Sequence, residues 1–181
     1  METETYNFTN LTTAKLDIEK LKKLNSLEVF STITCSWLSD LSRFLLKDPK
    51  TKKYPDVATF AFFCRKANLS KLKVNHYNPN EIRLGKGIAF HIAPSNVPVN
   101  FAYTLISGLL AGNINIIKIP SKYFEQIDII INAINKTLEN PEFDEIKKRI
   151  FVIKYDTNSN VTSIISKICD LRIIWGGNET V

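Results

Sequence analysis

Residues 94–98, Pro-Ser-Asn-Val-Pro, set a serine and an asparagine between two prolines, and further on a single lysine, Lys118, closes an otherwise apolar run. A side-chain amide held at the mouth of a helix can donate a hydrogen bond to an oxygen that gains negative charge during acyl chemistry. Asn96 is therefore a candidate catalytic amide, with a plain asparagine cap of the following helix as the alternative. Lys118, with Ser121 and Lys122 just beyond it, suits ribose hydroxyls or a phosphate, and the alternative is an exposed lysine at a strand end. Ala93, Pro94 and Ser95 share the mouth with Asn96 and are expected to line the path of the same ligand. Gly176-Gly177 follows a fourth apolar run, where absent side chains permit close backbone approach to a pyrophosphate, although a glycine pair alone is a weak signal.

These positions have meaning only if strands and helices alternate beneath them, and from residue 87 onward the sequence does alternate. Compact apolar runs at 87–93, 114–119, 149–155 and 171–177 are separated by helical stretches: Pro98 to Gly112-Asn113, about 122–139, and 159–170. That alternation predicts a parallel sheet with crossover helices, part of a doubly wound α/β fold. In such sheets ligands bind beyond the carboxyl ends of the strands, where all the residues named above fall. Pro98 fits the first helical turn, since its missing N–H costs nothing there, and Gly112 fits the left-handed residue that ends the helix. His91, inside an apolar strand, reads as a satisfied core histidine rather than a base. Gly85-Lys86-Gly87 precedes a strand, so it is not the dinucleotide fingerprint, which follows one.

Before residue 85 the apolar spacing is helical. Leu16, Ile18, Leu21 and Leu24, then Ile33, Trp37, Leu38, Leu41 and Leu45, recur at three and four residues. A third helix is expected after Pro55, fading by Asn68, and Ser70–Leu84 reads as a loop with room for a short strand. The chain thus divides into a mainly helical region, 1–84, and a partial α/β region, 85–181. It stops just after a strand and a Gly-Gly turn, with Asn178 suited to cap a helix that has no residues left. A fragment, or a prematurely ended reading frame, of a longer protein is the expectation.

The 181 residues are 44% hydrophobic and 23% charged, ordinary for a soluble domain. No apolar run reaches the roughly 18 residues that cross a bilayer, and the start of the chain lacks a signal-peptide pattern, so a cytoplasmic protein without a membrane span is expected. The net charge of +6 lies wholly in residues 1–86, which hold 15 Lys/Arg against 9 Asp/Glu. Its densest part, 47–55, contains prolines and reads as a solvated loop; no aromatic interleaving or nucleic-acid motif accompanies it, so no nucleic-acid partner is expected. Cys35, Cys64 and Cys169 are too widely spaced for a disulfide framework or a zinc set and are expected to be buried small residues, and no metal site is expected.

Taken together, Pro94–Pro98, Ala111-Gly112-Asn113, Lys118 and the 176–181 ending resemble the aldehyde dehydrogenase superfamily. Within it, the segments Ile-Ala-Pro-Ser-Asn-Val-Pro, Ile-Lys-Ile-Pro-Ser-Lys and Ile-Ile-Trp-Gly-Gly-Asn-Glu look most like the LuxC-type acyl-CoA reductases. The resemblance implies a Rossmann-like, aldehyde dehydrogenase-like fold and reduction of an acyl thioester, carried on CoA or a protein, to an aldehyde. It makes Asn96 the oxyanion-stabilising amide, Lys118 the ligand of the adenosine ribose, and Gly176 and Gly177 neighbours of the nicotinamide end. NAD-preferring relatives often carry a glutamate shortly after the lysine. Here Pro120, Ser121 and Lys122 stand instead, which favours NADPH because a carboxylate would repel its 2′-phosphate. The superfamily's nucleophilic cysteine lies downstream of the glycine turn, so Cys169 does not take that role and these residues alone are not expected to turn over. A homo-oligomer, or partner enzymes of an acyl-reduction pathway, would be compatible. The competing reading is a non-catalytic nucleotide-binding or interaction module that keeps half of the fold.

Overall fold

The computed structural model describes residues 8–76, 78, 80–156 and 158–176. Gly177 and Asn178, named above, lie outside the described residues. A five-stranded mixed sheet organises the rest, in the order β1-β4-β3-β2-β5. The strands are β1 (Thr9–Asn10), β2 (Ile88–Ile92), β3 (Ile114–Lys118), β4 (Ile150–Lys154) and β5 (Leu171–Ile174). The last four are mutually parallel, and β1 adds to the edge of β4 antiparallel. The alternation of β-branched runs and helices explains the parallel part: each strand is joined to the next by a crossover helix, α5 (Asn100–Leu110), α6 (Glu125–Thr137) or α8 (Val161–Ile168). A further one-turn helix, α7 (Asp144–Lys147), precedes β4.

Side chains alternate across the sheet and so feed two cores. On one face Ile117, Ile150 and Val152 pack with α5, α6 and the helices of the first half, α2 (Thr32–Lys47) and α3 (Pro55–Phe63). On the other, Phe90, Ile116, Phe151 and Ile153 meet α8 and Leu21 of the one-turn helix α1 (Ile18–Leu21). Trp37, Leu38, Leu41 and Leu45, one stripe of α2, are fully buried. Removing apolar side chains of this size from water contributes about 1.5–3 kcal/mol each.

Three local expectations are corrected. Ser70–Leu84 is not a loop throughout: α4 (Lys66–His76) runs into it, and the only extended pairing there is an isolated bridge between Glu28 and Leu84 among the described residues. Only Leu69 of α4 is buried, so the helix carries almost no apolar periodicity to read. Pro98 does not open α5. It sits second in a β-turn closed by the Asn100 N–H to Val97 carbonyl bond at 3.2 Å, the position its fixed φ suits, and the helix starts at Asn100. Of the cysteines, Cys64 is buried as expected, whereas Cys35 and Cys169 are only partly covered. Gly112 does end α5 with a φ of +82°, and a side chain there would collide with the Leu27 carbonyl of the docked first-half segment.

Candidate functional site

The register of the sheet brings the carboxyl ends of four strands level: Ile92 pairs with Lys118 on one side and Ile174 on the other, and Lys118 with Ile153. Main-chain bonds continue the alignment past the strands. Trp175 N–H donates to the Ile92 carbonyl at 3.0 Å, Ala93 N–H to the Lys118 carbonyl at 3.0 Å, and Ile119 N–H to the Ile153 carbonyl at 3.0 Å. The segments after β2, β3 and β5 are therefore held as one rim.

An open cleft of about 580 Å³ is cut into that rim, lined by Ala93, Ser95, Asn96, Lys118, Pro120, Ser121, Lys122 and Phe124. Six of the residues expected from sequence to share a ligand thus share a cavity. Pro94, half-buried, and Gly176, exposed, are not among the lining residues. Asn96 is exposed, and its side chain forms no hydrogen bond among the described residues. The residue preceding α5 is Val99, with no side-chain cap, so Asn96 does not serve as the cap.

Two aromatic rings that sequence reasoning passed over aim the cations. Lys118, half-buried, holds its ammonium 5.5 Å from the centre of the Tyr155 ring, and Lys122 holds its own 5.2 Å from that of Phe124. Tyr155 is itself fixed by an oxygen–oxygen hydrogen bond of 2.7 Å to Thr162. A tyrosine directly after a strand was the available signal. No carboxylate lines the cleft among the described residues. Glu125, the first acidic residue after Lys118, accepts a 2.6 Å bond from the Tyr54 hydroxyl instead. The cleft therefore offers ammonium, amide and hydroxyl donors with no opposing negative charge, a set that fits a phosphorylated ligand.

None of the three thiols belongs to this rim. Cys64 is fully buried, and burial raises its pKa. Cys35 packs in the helical region, where burial raises its pKa and nearby Lys73 offsets part of the rise. Cys169 precedes β5, at the opposite end of the strands, and is likewise raised by burial. None is an activated thiolate. Among the described residues no group of three or more His, Cys, Asp or Glu side chains could hold a metal ion, and no helix is long and apolar enough to cross a membrane.

A model of the acyl-CoA reductase family LuxC matches residues 63–181, well over half of the chain. The chain belongs to this family. A comparison with curated proteins gave no match. The LuxC match begins upstream of the motifs, so it takes in the end of α3 and all of α4 together with the whole parallel sheet.

Proposed function

We propose that this chain forms the nucleotide side of an NADPH-dependent acyl-CoA reductase, which converts a fatty acyl thioester to an aldehyde through a cysteine acyl-enzyme. The observation that carries the reading is the joint lining of one cleft by Asn96 and Lys118 at the carboxyl ends of neighbouring parallel strands. Sheet order supports it. From β2 the chain steps outward to β3 and β4, then returns to the other side of β2 with β5. Dinucleotides bind where the strand order reverses in this way, and here the reversal lies between the Ala93–Val97 and Trp175-Gly176 segments. On this reading the sheet is Rossmann-like and akin to aldehyde dehydrogenases, residues 85–181 form the cofactor-binding part, and residues 1–84 support it in a cytoplasmic enzyme.

Each residue then has a task. Lys118, steadied over Tyr155, donates to the adenosine ribose hydroxyls. Ser121 and Lys122 face the 2′-phosphate. Ala93, Pro94 and Ser95 form the wall along which the dinucleotide runs, and glycines at positions 176 and 177 carry no side chain to oppose its nicotinamide end. When bound, NADPH supplies the hydride that takes the acyl carbonyl to the aldehyde level. Asn96 donates its amide N–H to the carbonyl oxygen as negative charge builds on it, and with no cap to form and no other side-chain hydrogen bond among the described residues it is free to do so. The acyl group must be carried by a cysteine other than Cys35, Cys64 or Cys169, given where these three lie.

That last point favours a second reading for these residues by themselves, a nucleotide-binding module without turnover. Both readings require the cleft to bind the cofactor. Titration with NADPH, followed by nucleotide fluorescence, should show saturable binding that Lys118→Ala weakens roughly tenfold, the loss expected for a charge-assisted hydrogen bond. Absence of binding by the unaltered chain would overturn both. Thioester reduction by the 181 residues alone would remove the second reading and the cysteine argument together.

A further inference from the structure

Beneath the rim runs a chain of polar groups that the cleft does not use. The Trp175 indole Nε1–H donates to Thr104 Oγ1 at 3.1 Å. Thr104 Oγ1 lies 2.7 Å from His91 Nδ1, and His91 Nε2 lies 3.0 Å from Asn115 Oδ1. Asn115 Nδ2 in turn donates to the Asn113 carbonyl at 2.8 Å. Asn115 directs its amide nitrogen at that carbonyl, so the atom facing His91 is its oxygen, an acceptor, and His91 Nε2 must carry the proton. Nδ1 is then an acceptor for the Thr104 hydroxyl, whose oxygen receives the indole N–H. One neutral tautomer satisfies every group, and each bond points one way, from Trp175 down to β3.

The arrangement was given room at Gly108 of α5, where any side chain would strike Asn115 Oδ1. His91 and Asn115 are 0% exposed, whereas Trp175 is 45% exposed. A fully buried network thus ends on a half-exposed ring at the rim. Trp175 is the first residue past β5, and its own N–H is bonded to Ile92. Main chain and side chain together tie the β5 exit to β2 and to α5.

We propose that Thr104 and His91 are positioning residues that hold Trp175, and through it the Trp175-Gly176 turn, at the fixed height where the nicotinamide end of the cofactor must rest. His91 acts here by orientation and not by proton transfer. The inference rests on the nucleotide reading of the cleft above, but its mechanical half stands on the hydrogen bonds alone.

Thr104→Val keeps the shape of the side chain and removes the hydroxyl, while Thr104→Ser restores it. Trp37 is fully buried, so acrylamide quenching of tryptophan emission reports mainly Trp175. In Thr104→Val, quenching should rise, NADPH should bind about three- to tenfold more weakly, as for the loss of one hydrogen bond, and adenosine 2′,5′-bisphosphate should bind as before, because it occupies only the Lys118–Lys122 side. Thr104→Ser should recover both properties. Trp175→Phe, which keeps a ring but not the N–H, should match Thr104→Val in NADPH affinity and secures the test if the valine variant folds poorly. Unchanged quenching in Thr104→Val, or equal weakening of NADPH and the bisphosphate, would overturn the proposal. Failure of the bisphosphate to bind the unaltered chain would instead sink the cleft reading and the cofactor half of this one, leaving the quenching result to decide the mechanical half.

Discussion

The His91 network inside this molecule and the polar groups on its rim are treated in opposite ways. Inside, His91 is paired with both Thr104 and Asn115, and Asn115 also with the Asn113 carbonyl; Arg149, 2% exposed, donates from its two terminal nitrogens to the Asn25 carbonyl at 2.6 Å and to Glu145, while its Nε has no partner among the described residues. On the rim, Ser95, Asn96, Ser121 and Lys122 are exposed, and their side chains form no hydrogen bonds among the described residues. A buried polar group left unpaired costs about 1–3 kcal/mol, so the interior pairs are what the fold requires. The rim groups answer to no such requirement. They stand together past the level ends of β2 and β3, where nothing in the stability of the fold requires them.

The largest effect belongs to the interior. Burial lowers the His91 pKa to about 4 from its ordinary 6.5, against a small opposing influence of the Asn115 hydrogen bond. Above pH 6.5 the ring is neutral in both folded and unfolded chains and contributes no pH dependence. As the pH falls from 6.5 towards 4 the unfolded chain takes up a proton that the folded one refuses, so stability drops by about 1.4 kcal/mol per pH unit, to a total near 3 kcal/mol. Urea unfolding at several pH values should show this acid limb, and His91→Asn should flatten it even where that variant is less stable at neutral pH. A variant with the same slope as the unaltered chain would mean that the ring is not held neutral.

The rim comes next, and there the expected loss is in rate rather than stability. In an acyl-CoA reductase polypeptide that carries these residues together with its nucleophilic cysteine, Asn96→Ala should lower the turnover number about 100-fold, the usual cost of one oxyanion donor. Cofactor affinity should barely change, and thermal unfolding should move little, because the side chain caps nothing and is solvated. Unchanged turnover would return Asn96 to the surface. A large fall in melting temperature would erase the distinction between rim and interior.

That distinction was only partly legible beforehand. The parallel strands and their crossover helices were readable because β-branched runs and amphipathic helices have different periods, and the cleft residues followed from where strand ends must lie. Ala93, Ser95, Asn96, Lys118, Ser121 and Lys122 were found that way. What escaped depended on contacts between distant segments. Two residues of β1 have no period to detect, and their pairing with Lys154 and Ile153 is a tertiary event. The burial of Arg149 runs against the habits of its residue type and is decided by Asn25 far away in the chain. Trp175 directly precedes the Gly176-Gly177 pair, yet nothing in its neighbours announces Thr104 as its partner. Sequence pattern speaks to which side of an element is wet, and much less to which buried polar groups will find one another.

The smallest expected effect sharpens the rim itself. Lys122 is exposed, and its charge is worth little to stability, but a 2′-phosphate near it would feel the sign of that charge. Lys122→Glu replaces attraction by repulsion and should weaken NADPH about tenfold while leaving NADH within about twofold, roughly 1.4 kcal/mol of discrimination. Because the group is solvated, the difference should shrink as salt is raised from low ionic strength towards 0.5 M, where screening reaches only a few ångströms. A salt-insensitive difference would point to altered packing against Phe124 instead of charge. Equal weakening of both cofactors would place the 2′-phosphate elsewhere and leave Lys118, steadied over Tyr155, as the cation that matters.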